Sequence, residues 1–125
     1  MVVGGYAVAF YGYPRFTGDF DVWVEPSDEN LQRIMTALDE FGYEISDLEI
    51  VDFESETIAF HIGTPPVRID IMNKISGVNF QDCFGRKETR DIDGVKINYI
   101  SYQDLLSNKK AAGRLKDLDD LENLK

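Results

Sequence analysis

The order of apolar and polar positions predicts a chain in which strands and helices alternate. Short apolar runs and period-two alternation predict strands over residues 2–4, 19–24, 56–62, 67–72 and 95–100. Apolar residues spaced three and four apart predict helices over residues 6–11, 27–42, 78–86, 102–113 and 115–124. Residues 43–55 are acidic and less regular. With no repeat and no linker, the pattern predicts one α/β (α+β) domain built on a small mixed β-sheet flanked by helices.

Capping and turn residues define several of these boundaries. Ser27 can cap the N-terminus of its helix, and Ser101 opens a sequence that resembles a capping box. The Asp93-Gly94 pair suits the primed turn of a hairpin that leads into the strand over 95–100. We therefore interpret the spacing of Asp91 and Asp93 as part of a turn rather than as a second acidic site.

Three aspartates stand where strands are predicted, although aspartate is a poor strand former. Asp19 and Asp21 lie two positions apart and would share one face of the strand over 19–24, and Asp70 repeats this placement within 67–72. If the two strands are neighbours, three carboxylates converge and raise one another's pKa unless a cation lies between them. Magnesium prefers such oxygen ligands, and pairs of magnesium ions serve many phosphoryl-transfer sites. The bland alternative is a solvated strand edge.

The composition narrows the class of protein. The chain has 125 residues, of which 43% are hydrophobic, and this is enough for one globular core. A net charge of −10 argues against a broad, non-specific grip on nucleic acid. Basic residues nevertheless gather late in the chain, at Lys109, Lys110, Arg114 and Lys116.

Single cysteine and histidine residues limit the remaining chemistry. Cys83 has no cysteine partner, which favours a reducing cytoplasm, and we expect its side chain to be buried. His61 has no second histidine for a zinc site, so we interpret it as structural or exposed. No charged-then-apolar leader opens the chain, and no apolar run approaches the roughly 20 residues of a membrane span.

A glycine pair adds to the candidate site of the three aspartates. Gly4-Gly5 follows an apolar run, and such a pair lets the backbone approach a phosphate closely. Together with Asp19-Phe20-Asp21 and a distant strand aspartate, this pair resembles the DNA polymerase β-like nucleotidyltransferase superfamily. The closer resemblance is to small prokaryotic members akin to the nucleotidyltransferases of abortive-infection toxin–antitoxin systems. It extends to the helix pair over 108–121 and treats residues 1–125 as a single nucleotidyltransferase-like domain.

The resemblance implies a fold, a reaction and a set of residues. The reaction is in-line attack of an acceptor hydroxyl on the α-phosphorus of a nucleoside triphosphate such as ATP, with magnesium bound and pyrophosphate released. The implied catalytic and metal-binding residues are Asp19, Asp21 and Asp70, with Asp70 also acting as general base. The implied nucleotide-binding residues are Gly4, Gly5, Arg15, Thr17, Lys109 and Arg114.

Two departures from the resemblance keep alternatives open. Gly5 stands where many members carry serine, and the helix that usually precedes the first strand is not found, so we expect a domain lacking an N-terminal helix. The residues between Arg114 and Asp120 could form ion pairs across a helix junction instead of binding nucleotide. The acceptor could be an RNA end, a protein or a small molecule, and a homodimer or a cognate partner protein is also compatible. The chain could also be a non-catalytic interaction module, an antitoxin partner or an inactive fragment.

Overall fold

A mixed β-sheet forms the centre of the molecule, which a computed structural model describes over residues 1–43, 52–64 and 66–124. Its strands are β1 (Val2–Val3), β2 (Asp19–Trp23), β3 (Ala59–Thr64), β4 (Val67–Met72), β5 (Glu88–Ile92) and β6 (Val95–Tyr99). In the described ranges the six strands follow the order β3-β4-β2-β1-β6-β5. The pairs β2–β4 and β1–β6 are parallel, and the other neighbours are antiparallel. The mixed α+β fold predicted from the sequence is thus confirmed.

Helices connect and cover these strands. They are α1 (Gly4–Phe10), α2 (Asp28–Glu40), α3 (Phe80–Gly85), α4 (Tyr102–Ala112) and α5 (Leu115–Asn123). The predicted caps are present: Ser27 Oγ accepts from the Asn30 N–H at 3.2 Å, and Ser101 Oγ accepts from the Asp104 N–H at 3.2 Å. Across the described ranges, none of the helices combines the length and the apolar character that crossing a bilayer requires.

Two predicted boundaries are wrong for reasons that the structure makes clear. The first helix begins at Gly4 rather than Tyr6, because the backbone turns from β1 into α1 at Gly4 with φ +66°. The third strand begins at Ala59 rather than at residue 56, because the Asn73 side chain binds the backbone before it. Asn73 Oδ1 accepts from the Ile58 N–H, and its Nδ2 donates to the Glu56 carbonyl. Of the acidic stretch over 43–55, residues 44–51 lie outside the described ranges.

The hairpin between β5 and β6 turns at the predicted pair of residues. Asp93 and Gly94 both have positive φ, at 52° and 83°, as a type I′ turn requires. The Asp91 carboxylate accepts from the Gly94 N–H at 2.9 Å. Asp93 is therefore a turn residue, and Asp91, near the end of β5, binds the turn through its side chain, so the pair is part of a hairpin as the sequence indicated.

The main core lies where β1, β2 and β6 meet α1, α3 and α4. Its buried members are Val2, Val3, Ala7, Val8, Trp23, Cys83, Ile100, Leu105 and Leu124. Trp23 lies edge-on against Phe80, and its Nε1 donates to the Asn73 carbonyl at 3.2 Å. Cys83 is fully buried as predicted, and burial raises the pKa of its thiol to about 11. These contacts fix the strand that carries two of the three aspartates.

The last helix, which the leucine spacing predicted, buries two acids. Leu115 is 86% exposed and Leu118 is 51% exposed, whereas Asp117 and Asp120 are fully buried. The buried acids are held there by basic residues of α4 and of the loop before β2.

Candidate metal and nucleotide site

Two parallel strands bring the three predicted aspartates together. In the register of β2 and β4, Asp21 lies opposite Asp70 and Asp19 lies opposite Arg68. Neighbours in register project from the same face of a sheet, so the three carboxylates share that face. One oxygen from each of them lies within 4.8 Å of the others. The predicted convergence of Asp19, Asp21 and Asp70 is confirmed.

The surroundings of Asp21 shift its pKa strongly. Burial raises the pKa of Asp21 to about 6, and the charges of Asp70 and Asp19 add to the shift. The backbone at Gly4 leaves room for this carboxylate, because a Cβ there would lie only 2.1 Å from Asp21 Oδ2. The first glycine of the pair therefore makes space for an acid of the site as well as turning the chain.

Asp70 is held by two residues that the sequence analysis did not place in the site. Arg68 Nε and Nη2 donate to the two Asp70 oxygens at 2.7 and 3.1 Å, and His61 Nδ1 lies 2.8 Å from Oδ1. Burial would raise the pKa of Asp70, but the bonds from Arg68 and His61 hold it below its usual value. Arg68 Nε also lies 3.6 Å from Asp19 Oδ1, so one guanidinium bridges two of the acids.

The sequence signals that could have placed Arg68 and His61 in the site differ in strength. Arg68 is two positions before Asp70 in a strand, and the shared face follows from that spacing. His61 joins the site only because antiparallel β3 places it opposite Asp70, and no local pattern encodes that register. His61 was interpreted as structural or exposed; its side chain is about half exposed, yet it contacts a site carboxylate.

The aspartates line an open cleft of about 440 Å³. Four basic side chains line the same cleft: Lys74, which follows β4, Lys109 of α4, Arg114 just before α5, and Lys116 in the first turn of α5. A cleft lined by both carboxylates and cations suits a ligand that carries phosphates together with a divalent metal.

The donor set fits such a metal. All three groups are carboxylates, the ligands that hard ions such as Mg²⁺ prefer over nitrogen or sulfur. Burial raises the pKa of Asp21 and repulsion by the other two acids adds to it, and a divalent cation among the three oxygens would favour the ionised form of Asp21. The described residues can therefore hold a metal ion at this position.

Comparison with known proteins gives the class of chemistry. All of the chain, residues 1–125, matches the model of a family described as "Nucleotidyl transferase of unknown function (DUF2204)". The chain belongs to this family. No curated protein matches it. The nucleotidyltransferase assignment from the sequence is confirmed at this level, and a nucleotide is the substrate that the family description implies.

In this family member, three of the predicted nucleotide-binding residues form ion pairs with buried acids. Lys109 Nζ lies 3.1 Å from Asp117 and 3.0 Å from Asp120. Arg15 binds both oxygens of Asp120 at 2.7 and 2.9 Å, and Arg114 binds Asp117 at 2.7 Å. Burial would raise the pKa of each aspartate, but these partners hold both pKa values below the usual one.

This arrangement separates the predicted residues into two groups. Gly4, Lys109 and Arg114 line the cleft with the three acids. The remaining predicted residues, which are Gly5, Arg15 and Thr17, are not among the lining residues in the described part of the chain. The alternative of ion pairs at the helix junction is present in part: Lys109 and Arg114 bind Asp117, and Lys109 binds Asp120, whereas Lys116 has no ion pair among the described residues. A role in nucleotide binding for these residues stays a prediction.

The glycine at position 5 has a local explanation. A Cβ there would meet Cβ and Oγ1 of Thr17, both at 2.8 Å. The Thr17 side chain therefore fills the space that a serine at position 5 would use. Its hydroxyl donates to the Asp19 carbonyl at 3.1 Å, which ties the loop before β2 to the first acid of the site.

Proposed function

We propose that this protein transfers a nucleoside monophosphate from a nucleoside triphosphate to an acceptor hydroxyl, with magnesium bound by its three aspartates. The observation that supports this most directly is the convergence of Asp19, Asp21 and Asp70 within 4.8 Å, in a cleft that four basic side chains also line. The family description points to the same reaction class. The resemblance to the polymerase β-like superfamily and to toxin–antitoxin nucleotidyltransferases is part of this proposal.

Each acid has a role in this proposal. Asp19 and Asp21 would hold divalent cations, for which two ions are expected, and Asp70 would complete the ligand set. The bound cations would supply charge neutralisation of the phosphates. Asp70 also accepts the proton of the attacking hydroxyl. It is ionised in its present surroundings, and loss of the Arg68 bond would strengthen it as a base because that bond lowers its pKa.

The residues around the acids would position the triphosphate. Gly4 opens α1 beside Asp21, where its backbone can approach a phosphate. The Thr17 side chain fills the space over Gly5, and its hydroxyl would reach a phosphate only by giving up its bond to the Asp19 carbonyl. Lys109 and Arg114 would add positive charge along the cleft while holding the buried acids of α5.

A thermal-shift titration tests this function without knowledge of the acceptor. Each of the four nucleoside triphosphates is added with and without magnesium, because a ligand that binds only the folded state raises the melting temperature. We expect a magnesium-dependent shift with at least one triphosphate. Asp19→Asn and Asp70→Asn should lose the shift, and Glu122→Gln, an exposed acid on α5, should keep it.

The same titration separates the alternatives. A folded wild-type protein that shows no shift with any of the four would contradict the proposal. That result would favour a non-catalytic partner protein of the same fold. With a donor identified, transfer of its α-phosphate label to an acceptor then distinguishes an RNA end, a protein and a small molecule.

A further inference from the structure

Four basic side chains line the cleft, but they are not equally available to a ligand. Lys109 is 3% exposed and lies between two buried aspartates. Arg114 is bound to Asp117 through Nε, Nη2 and its backbone N–H. Lys74 Nζ donates to the Ser55 carbonyl at 2.8 Å. Each of these three residues therefore has a structural contact that a ligand would have to share or break.

Lys116 is different. Among the described residues its ammonium has no ion pair and no hydrogen bond, although it lines the same cleft as the three acids. It is exposed, and it lies in the first turn of α5, which begins at Leu115. Its side chain therefore lines the cleft of the three acids without a partner among the described residues.

We infer that Lys116 is the residue that binds the β- and γ-phosphates of the donor nucleotide. The inference rests on the proposed function, which places the α-phosphate at the three acids. A triphosphate that extends from the acids along the cleft reaches the basic side chains that also line it. Lys116 is the lysine there that can bind phosphate without leaving a partner in the described structure, and lysine is a flexible point charge well suited to phosphate. The leaving pyrophosphate would keep this contact.

Binding measurements on Lys116→Gln test the inference. The probes are magnesium tripolyphosphate, which needs no base, and the nucleoside triphosphate and monophosphate of one base. A charge-assisted bond to phosphate predicts about 10- to 100-fold weaker binding of tripolyphosphate and triphosphate. Monophosphate should bind with less than about a twofold change, since it lacks the phosphates that Lys116 contacts.

Three further variants or probes show whether the effect is specific. Lys110→Gln removes the same charge from an exposed position on α4 that does not line the cleft, so its triphosphate affinity should be unchanged. Lys116→Arg should restore most of the lost affinity. Titration with Mn²⁺ alone should give Lys116→Gln the wild-type affinity or a slightly tighter one, which shows that the fold and the acids are intact.

The outcomes for the inference and for the proposed function are distinct. Equal triphosphate binding by wild type and Lys116→Gln would overturn the role of Lys116 and leave the proposed function standing. An equal loss for monophosphate and triphosphate would also overturn it, because it would show a general effect on the cleft. If wild type binds neither triphosphate nor tripolyphosphate with magnesium, both the inference and the proposed function fail.

Discussion

Two carboxylates of the site, those of Asp70 and Asp21, lie in different surroundings, and these surroundings shift their pKa values in opposite directions. Asp70 receives a bidentate guanidinium and is held ionised, whereas Asp21 is buried beside two other acids and has a pKa raised to about 6. The ionised Asp70 can thus accept a proton or bind a metal, whereas the charged form of Asp21 is destabilised until a cation binds beside it. Arg68 provides part of that positive charge within the sheet itself.

The pKa of Asp21 predicts how stability depends on pH in metal-free protein. Because its folded pKa is raised from 3.8 to about 6, the unfolded chain ionises first as the pH rises between these values. The free energy of unfolding therefore loses a contribution across that interval and stays lower above it. A shift of this size is worth about 3 kcal/mol at most, and about 1–2 kcal/mol after solvent screening.

We therefore expect Asp21→Asn to be about 1–2 kcal/mol more stable than wild type at pH 7.5 and equal to it near pH 4. Urea unfolding in the presence of a chelator, at several pH values, measures this difference. Glu122→Gln serves as the control, with no pH-dependent gain. A gain for Asp21→Asn that is the same at pH 4 and at pH 7.5 would show that the charge of the half-buried Asp21 is not its cause.

At the level of elements, two junctions hold the site in shape. The turn from β1 into α1 brings the Gly4 backbone against Asp21. The junction between α4 and α5 is closed by Lys109, whose ammonium joins two buried aspartates of α5. Both junctions depend on contacts between residues distant in sequence, so each can be tested by a substitution with a matched control.

Gly4→Ala should disturb the site more than its backbone angle alone explains. Gly4 and Gly113 have nearly equal φ, 66° and 64°, so alanine at either position costs about 1 kcal/mol or more. At Gly113 the nearest atom to a Cβ is 3.7 Å away, whereas at Gly4 the Cβ would lie 2.1 Å from Asp21 Oδ2. We expect both variants to lose stability, but only Gly4→Ala to lose Mn²⁺ affinity, by isothermal titration. Equal Mn²⁺ affinities would mean that Asp21 is not needed for the metal.

Lys109→Met should destabilise the fold strongly. It leaves two fully buried aspartates with only their arginine partners, so we expect a loss of about 2–3 kcal/mol, somewhat less than for an isolated buried charge. Lys110→Met, on the exposed side of the same helix, should change stability by less than about 0.5 kcal/mol. Chemical denaturation compares the two. A loss below 0.5 kcal/mol for Lys109→Met would mean that the ion pairs contribute little.

Much of this arrangement could be predicted from the sequence, because its signals are local. Period-two placement of Asp19, Asp21 and Asp70 indicated a shared face, and the caps at Ser27 and Ser101 defined helix starts. What could not be predicted depends on contacts between distant segments. The register that brings His61 to the acids is one example, and the pairing that turns the aspartates of α5 inward is another.

For the molecule as a whole, the distribution of charge decides which ligands can bind more than the net charge does. The net charge is −10, yet the cleft that holds the three acids is also lined by four basic side chains. A surface of this kind repels long polyanions in general but accepts a small polyphosphate that enters with its metal. The fold thus offers one cleft in which a sheet supplies the metal ligands and the last two helices supply positive charge.

The most direct test of this account is the anomalous diffraction of Mn²⁺ in crystals grown with a non-hydrolysable nucleoside triphosphate. We expect a manganese peak about 2.0–2.3 Å from oxygens of Asp19, Asp21 and Asp70, with the triphosphate extending toward Lys116 at the start of α5. Arg68 should then share or give up its bond to Asp70. A structure with nucleotide and Mn²⁺ present, no peak among the three aspartates and Arg68 still bound to Asp70 would contradict the proposed metal site.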